Sequence, residues 1–356
     1  MDRVLTLLTE LTEAAGVPGQ EHDVREVMKQ HLSDIATIEV DHLGSLIAKR
    51  AGDSAGPRVM LASHLDEVGF MVNYITDEGY IKFLPLGGWW EQVMLAQRVL
   101  IKTSKGDIVG VIGSKPPHLL STEDRSKPVL MKEMFIDIGV ADQAEAKAAG
   151  VRPGDAIVPI CPLTPMQNPK YVMAKAVDNR LGCAVIVEVM RRLEAEKHPN
   201  TVYGVATVQE EVGLRGAQTA TAVVEPDIGF AIDVGIAGDV PGIAQEDARS
   251  KLGKGPLLLL LDASMVPHRG LRDLVVETAE QLGIPFQYDA IPKGGTDAGK
   301  IHMYGRGVPC LVIGFPTRYI HSHAALFHRD DFDAAVELLV AVLKRLDRQT
   351  VDKLQG

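Results

Sequence analysis

The feature that most constrains this chain is a change of texture part-way along it. At both ends helical periodicities alternate with short apolar runs. From about Phe70 to Pro165 the pattern is instead one of short strands broken by Gly, Pro and Asp turns (FMVNYI, YIKFLPL, RVLIKTSKGDIVGVIG, MFIDIGV, GDAIVPI), with one helical stretch, ADQAEAKAAG. Helix and strand in alternation predict an α/β sandwich around a mostly parallel central sheet. The strand-only stretch reads as a small β-rich unit set into it. The expected organisation is therefore one body from 1–69 and 166–356, with an inserted domain over 70–165.

Within the body, Val4, Leu5, Leu7, Leu8 and Leu11 predict an amphipathic helix halted by Gly16, Pro18 and Gly19, and a second helix runs from about Glu21 to Leu32. IEVDHLGSLIAKR and RVMLASHLDEVGF read as buried strands. After the insert, NRLGCAVIVEVMRRLEAE, LRDLVVETAEQLG and DDFDAAVELLVAVLKRLD read as helices, and TVYGVATVQ, DIGFAIDV, FQYDAI and CLVIGFP as strands. The mixed-charge stretch SKPPHLLSTEDRSKP reads as an exposed loop.

Composition narrows the function classes. The 356 residues are 46% apolar and 24% charged, enough for a large core. The amino-terminal segment has no signal-like apolar run and no window is long enough to span a bilayer, so a soluble cytoplasmic protein is expected. A net charge of -10 without a basic cluster excludes nucleic acid and anionic membranes as natural partners. Cys161, Cys183 and Cys310 form no CxxC pair, so a metal here needs imidazole and carboxylate ligands.

Five segments offer such ligands at the ends of strands, where an open α/β sheet presents them. In SHLDEVG, His64 and Asp66 share a face if the chain is extended, so the carboxylate could fix the imidazole tautomer; a capping Asp beside a surface His is the plainer alternative. In AVDNRLG, Asp178 stands where an ordinary helix cap would, yet its two oxygens could bridge two cations. In VQEEVG, Glu210 and Glu211 should diverge on an extended segment, one to bind metal and one to move protons, unless both are solvated in a turn. FAIDVG supplies Asp233, which a turn would also explain. RYIHSHAALFH supplies His321, His323 and His328, and the residues alone do not choose among them.

In this order, SHLDEVG, AVDNRLG, VQEEVGLRGA, AIDVG, GGTDAG and RYIHS resemble the motifs of the M42 metallo-aminopeptidases, the glutamyl aminopeptidases and TET peptidases, over nearly the whole chain. The resemblance implies a zinc-peptidase-like fold and two divalent metal ions, zinc or cobalt with manganese also suited to such ligands. His64, Asp178 and Asp233 would hold one ion and Asp178, Glu211 and His321 the other, with Asp178 as the bridge. Glu210 would be general base and acid, and Asp66 would orient His64. His321 is chosen over His323, which inherits no role. Gly295, Thr296 and Asp297 of the glycine-rich loop, with Arg318, would contact substrate. Peptides would be the substrates, and the β-rich insert would make dimers that build a hollow tetrahedral dodecamer.

Three competing readings remain at this level. A glycosidase of the endoglucanase kind needs two carboxyl groups facing each other across the bond, and nothing singles out such a pair. A dinuclear deacylase or dipeptidase would use related ligands. A metal-free binding protein would have no use for a complete ligand set.

Overall fold

A computed structural model describes residues 2–52 and 56–356. Its centre is an eight-stranded sheet in the order Thr37–Val40, Leu46–Arg50, Thr201–Thr207, Arg58–His64, Ile228–Ile236, Cys310–Thr317, Leu257–Asp262, Gln287–Ile291. The four middle strands, from Thr201–Thr207 to Cys310–Thr317, are mutually parallel. The flanking contacts, Leu46–Arg50 on Thr201–Thr207 and Leu257–Asp262 on Cys310–Thr317, are antiparallel.

Period-2 alternation decides which layer each side chain enters. Val59, Leu61, Phe230 and Ile232 join one core with Leu7, Leu8 and Leu11 of helix Arg3–Glu13, Leu181 and Val185 of helix Val177–Glu194, and Leu339 and Leu343 of helix Arg329–Arg345. Their neighbours Met60, Ala62 and Ala231 face the other way, against Ala220 and Val224 of helix Arg215–Val224 and Ile301. The body is thus an α/β/α sandwich, and each fully buried Leu contributes about 1.5–3 kcal/mol.

Strands Gly69–Ile75, Ile81–Leu86, Phe135–Asp137, Gly106–Gly113, Arg98–Thr103 and Ala156–Pro159 close into a separate antiparallel barrel, filled by Phe70, Ile81, Val99, Ile101, Ile112, Ile136 and Ile157. Thr164 and Pro165 pair with Tyr171–Ala174 in a small third sheet.

Two sequence expectations need correction. IEVDHLGSLIAKR is a hairpin, Thr37–Val40 against Leu46–Arg50, not one strand; Asp41 turns it by accepting the Leu43, Gly44 and Ser45 N–H groups. RVMLASHLDEVGF breaks at His64, and Gly69 begins the barrel. Between them, the Leu65 N–H donates to the Thr207 carbonyl and the Glu67 N–H to the Gly16 carbonyl. Local apolarity could not reveal a break made by partners so distant in sequence.

Candidate active site

The break at His64 is where the site begins. Strand Arg58–His64 pairs with Thr201–Thr207 to its last residue, His64 opposite Thr207, but with Ile228–Ile236 only as far as Ala62 opposite Ala231. Asn179 fills the parting: its amide donates to the Ile232 carbonyl at 2.8 Å, and Ser63 Oγ donates to the Asn179 carbonyl at 3.1 Å. The following helix approaches so closely that a Cβ on Gly182 would lie 2.4 Å from Ser63 Oγ. Glycine is therefore required there.

In this parting His64 is buried. Its Nδ1 lies 2.9 Å from the Asp66 backbone carbonyl, which places the ring proton on Nδ1 and leaves Nε2 a lone pair. Nε2 sits 3.1 Å from Asp178 Oδ1, 3.9 Å from Asp233 Oδ1 and 4.0 Å from Glu210 Oε2. The other Asp178 oxygen, Oδ2, lies 3.3 Å from His321 Nε2, which is 3.4 Å from Glu211 Oε1. Lone pairs and carboxylate oxygens at such separations need a proton or a cation between them. The residues group accordingly as His64, Glu210 and Asp233, and as His64, Asp178 and Glu211, each able to hold a metal ion.

The electrostatics agree. Burial, reinforced by neighbouring carboxylates, pushes Glu210 and Asp233 well above the usual carboxylate range and Glu211 to about 8. Burial also opposes ionisation of Asp178, but the two imidazoles beside it hold its carboxyl below the ordinary value. For His321 burial disfavours the charge, yet Asp178 and Glu211 outweigh it and raise the ring to about 9. Glu211 Oε1 is buried without a hydrogen bond.

Asp66 does something the extended-strand reading did not foresee. Its carboxylate stands 3.7 Å from His64 Nδ1 and instead accepts the Glu210 and Glu211 N–H groups, each at 3.0 Å. The main-chain carbonyl of Asp66 orients the imidazole, while its carboxylate fixes the double-glutamate turn. That turn is not extended, because Gln209 has φ 55°. Both glutamates consequently line one cavity of about 480 Å³ and do not point to opposite faces.

The glycine-rich loop divides. Gly294, Gly295 and Thr296 line the cavity, whereas Asp297 is buried away from that wall, accepting the Thr207 hydroxyl at 2.5 Å. Arg318 is outside the cavity lining; its guanidinium grips Asp239 at 3.0 and 2.6 Å and lies over the Tyr171 ring. It leaves the end of strand Cys310–Thr317 beside a carboxylate supplied from elsewhere in the chain, which spacing does not disclose.

Sequence reading also missed supporting groups. Glu21 accepts the Gly19 and Gln209 N–H groups, bracing the turn before Glu210. Arg180 donates to the carbonyls of Leu65, Leu11, Ala14 and Gly16, tying the first helix to the site, and with Lys175 it meets the buried Glu67. From the barrel, the Gly88 backbone hydrogen-bonds His321. Trp89 stacks on Phe70 and meets the edge of His323 at 5.2 Å. His323 lies buried with neither ring nitrogen bonded; His328 caps helix Arg329–Arg345. The run GGWW, Gly87 to Trp90, was the available signal for this brace.

A family model described as M42 glutamyl aminopeptidase matches residues 44–338. The chain belongs to the M42 aminopeptidase family. This M42 peptidase is a peptide hydrolase, 36% identical over 97% of both chains to a glutamyl aminopeptidase of Lactococcus lactis. It is 33% identical to a lysyl aminopeptidase of Pyrococcus furiosus over 96% of both chains. Among solved structures, a TET aminopeptidase from a marine-sediment thaumarchaeote superposes with a TM-score of 0.97 at 47% identity, covering 99% of both chains. The Pyrococcus horikoshii TET1 peptidase, which can assemble into a tetrahedron or a large octahedral shell, gives 0.87 at 32% identity, covering 96% of this chain and 100% of its own. A Thermotoga maritima protein described as an endoglucanase gives 0.79 at 27% identity over 98% and 99%. The TET neighbours share the sandwich-plus-barrel fold. Among the described residues no helix is long and apolar enough to cross a membrane.

Proposed function

We propose that this M42 peptidase is a dinuclear metal-dependent aminopeptidase that releases N-terminal residues from peptides. One observation carries the reading: Asp178 offers one oxygen to each of two imidazoles, His64 at 3.1 Å and His321 at 3.3 Å. His64, Asp178 and Asp233 would hold one ion, and Asp178, Glu211 and His321 the other. Glu211 Oε1, which accepts no hydrogen bond, and the crowd of buried carboxylates fit divalent cations, and imidazole with carboxylate suits zinc, cobalt or manganese. When bound, the pair would lower the pKa of a water and polarise the scissile carbonyl.

The chain's own groups do the rest. Glu210 is held by its backbone on Asp66 with its carboxylate at the cavity; it takes the proton of the attacking water and passes it to the leaving amine. Asp66 and Glu21 keep that turn from moving. Gly294, Gly295 and Thr296 form the wall along which the substrate's amino end lies. In this reading the barrel, expected as a domain over 70–165, serves dimerisation, and dimers build a dodecamer; the assembly of the TET1 relative supports it. A cytoplasmic location accords with Cys161, Cys183 and Cys310 all being free thiols. Against the endoglucanase alternative, a carboxylate glycosidase would leave both central imidazoles idle.

The test is metal analysis of the purified protein, followed by assays on unblocked and N-acetylated aminoacyl p-nitroanilides, with EDTA treatment and metal add-back. About two equivalents of metal per chain and turnover of the unblocked substrates only are expected. Full activity after metal removal would break the reading, equal release of p-nitroaniline from acetylated substrates would show that no free amine is needed, and release of acetate with the anilide left intact would point to a deacylase.

A further inference from the structure

The parallel strands end at the site described above. Where they begin, a second cavity of about 750 Å³ opens, with Pro309 and Cys310 in its floor. Strand Cys310–Thr317 carries the chain from there, at ~3.3 Å per residue, roughly 23 Å to Arg318 and the His321 loop. The two cavities share no lining residue.

Three segments far apart in sequence build the second cavity. Val266 and His268 precede helix Arg269–Leu282, His302, Arg306 and Val308 follow helix Ala298–Ile301, and Asp352 and Leu354 belong to helix Arg348–Gln355. Main-chain bonds hold the walls. The His268 N–H donates to the Cys310 carbonyl at 3.0 Å, the Gly307 N–H to the Tyr304 carbonyl at 2.8 Å and the Val308 N–H to the His302 carbonyl at 3.0 Å. A Cβ on Gly270 would lie 2.9 Å from Leu354 Cδ2, so the last helix packs down on the first wall.

The two imidazoles are fixed in opposite senses. His268 Nδ1 accepts the Leu271 N–H at 3.2 Å, which places the ring proton on Nε2 and makes that atom a donor. His302 Nδ1 donates to the Ala298 carbonyl at 2.9 Å, so its Nε2 keeps a lone pair and accepts. Both rings are half-buried, and neither Nε2 has a partner among the described residues. Arg306 is exposed and likewise unpaired among them, and Asp352 has only a loose contact with Arg348 at 3.9 Å.

An exposed arginine alone is a solvated charge. Beside this imidazole pair, however, the wall presents a cation with a donor and an anion with an acceptor, next to the hydrocarbon of Val266, Val308 and Leu354. A phosphate or other polyanion would meet Asp352 and the His302 lone pair. A plain cation would meet Arg306. An apolar molecule would desolvate polar groups and give them no partners. A ligand that carries a carboxylate and an ammonium on one carbon, with a hydrocarbon side chain, satisfies every one of them.

We propose that this cavity binds a free α-amino acid with an aliphatic side chain. Its carboxylate takes the two parallel N–H groups of the Arg306 guanidinium and the Nε2–H of His268. Its ammonium donates to Asp352 and to His302 Nε2, and its side chain packs on Val266, Val308 and Leu354. A free amino acid is also what an aminopeptidase releases, so on the reading above the second cavity holds the reaction's product. The binding itself does not depend on that reading.

The experiment follows hydrogen exchange of the intact chain by mass spectrometry as L-leucine is added, reading the midpoint of protection at residues 302–310. Leucinol, which lacks the carboxylate, and isocaproate, which lacks the ammonium, are titrated alongside. Leucine is expected to protect 302–310, and each analogue to need about tenfold more. Arg306→Met should raise the leucine midpoint about tenfold and leave that of leucinol unchanged. Asp352→Asn should raise it similarly and leave that of isocaproate unchanged, because each variant removes a contact the analogue already lacks. Both side chains are exposed, so folding is not at stake. Unchanged exchange of 302–310 at up to about 10 mM leucine, ten times a Kd of about 1 mM, overturns the second site whatever happens at the catalytic cavity. Midpoints that neither variant moves overturn it too. Neither outcome touches the aminopeptidase reading, whose own test is turnover of unblocked anilides.

Discussion

The two folded regions of this chain bury very different things. In the sandwich, His64, Asp66, Glu67, Lys175, Arg180, Glu210, Asp233 and Asp297 are all buried. In the barrel, no polar or charged side chain from Gly69 to Pro159 is buried among the described residues. Burying a charge is costly unless it is paired or meets a cation. The sandwich accepts that cost where its parallel strands part, and the barrel keeps a purely apolar interior. What the barrel lends to the site is main chain: Gly88 reaches His321, and Gly87 at φ 84° passes so close that a Cβ would lie 3.1 Å from Glu211 Oε2. Chemistry is confined to one region, and the other contributes shape.

The hardest challenge to this division is Glu210→Gln. If the sandwich carries the proton chemistry, kcat should fall by about 10²–10⁴-fold while metal content stays at the wild-type level. Steady-state kinetics alongside metal analysis decide it, and activity within about tenfold of wild type would remove Glu210 from its role.

A smaller effect tests whether the barrel's contribution is only shape. A Cβ on Gly88 would stand 3.2 Å from His321 Nδ1, so Gly88→Val should displace the ring and weaken metal affinity by roughly 10- to 100-fold, as outer contacts to metal-binding histidines do. Chelator competition measures this, and unchanged circular dichroism excludes unfolding. Unaltered affinity would mean that the two regions are independent.

The smallest effect concerns the charge the sandwich stores beside the site. Burial, with Asp66 adding to it, raises Glu21 from 4.5 to about 7. Between those values the folded state binds the proton that the unfolded chain has lost, so this group's contribution falls as pH rises through the window and is least favourable above it. Glu21→Gln, which can still accept the Gly19 and Gln209 N–H groups, should be more stable than wild type at pH 8, by on the order of 1–3 kcal/mol, and nearly equal at pH 4. Denaturant titrations at the two pH values check it; a difference independent of pH would contradict the linkage.

Which of these features the sequence disclosed depends on how far apart the cooperating residues lie. Periodicity is local, so the helices at Arg3–Glu13, Val177–Glu194 and Arg329–Arg345, the strand-rich insert and the layers of the sandwich were all legible in it. The motif order carried the family, and with it the residues His64, Asp178, Glu210, Glu211, Asp233 and His321 that meet around one cavity. Tertiary structure alone decided the rest. His64 ends its strand because, past the last rung on Thr207, the Glu67 N–H turns to the Gly16 carbonyl. Asp66 turns its carboxylate to the glutamates because the chain there has left the sheet. Arg318 is spent on Asp239, and Gly88 reaches His321 from the barrel. Residue type and spacing state what a side chain can do; which partner it meets is fixed by register, left-handed turns and close approaches between segments far apart along the chain.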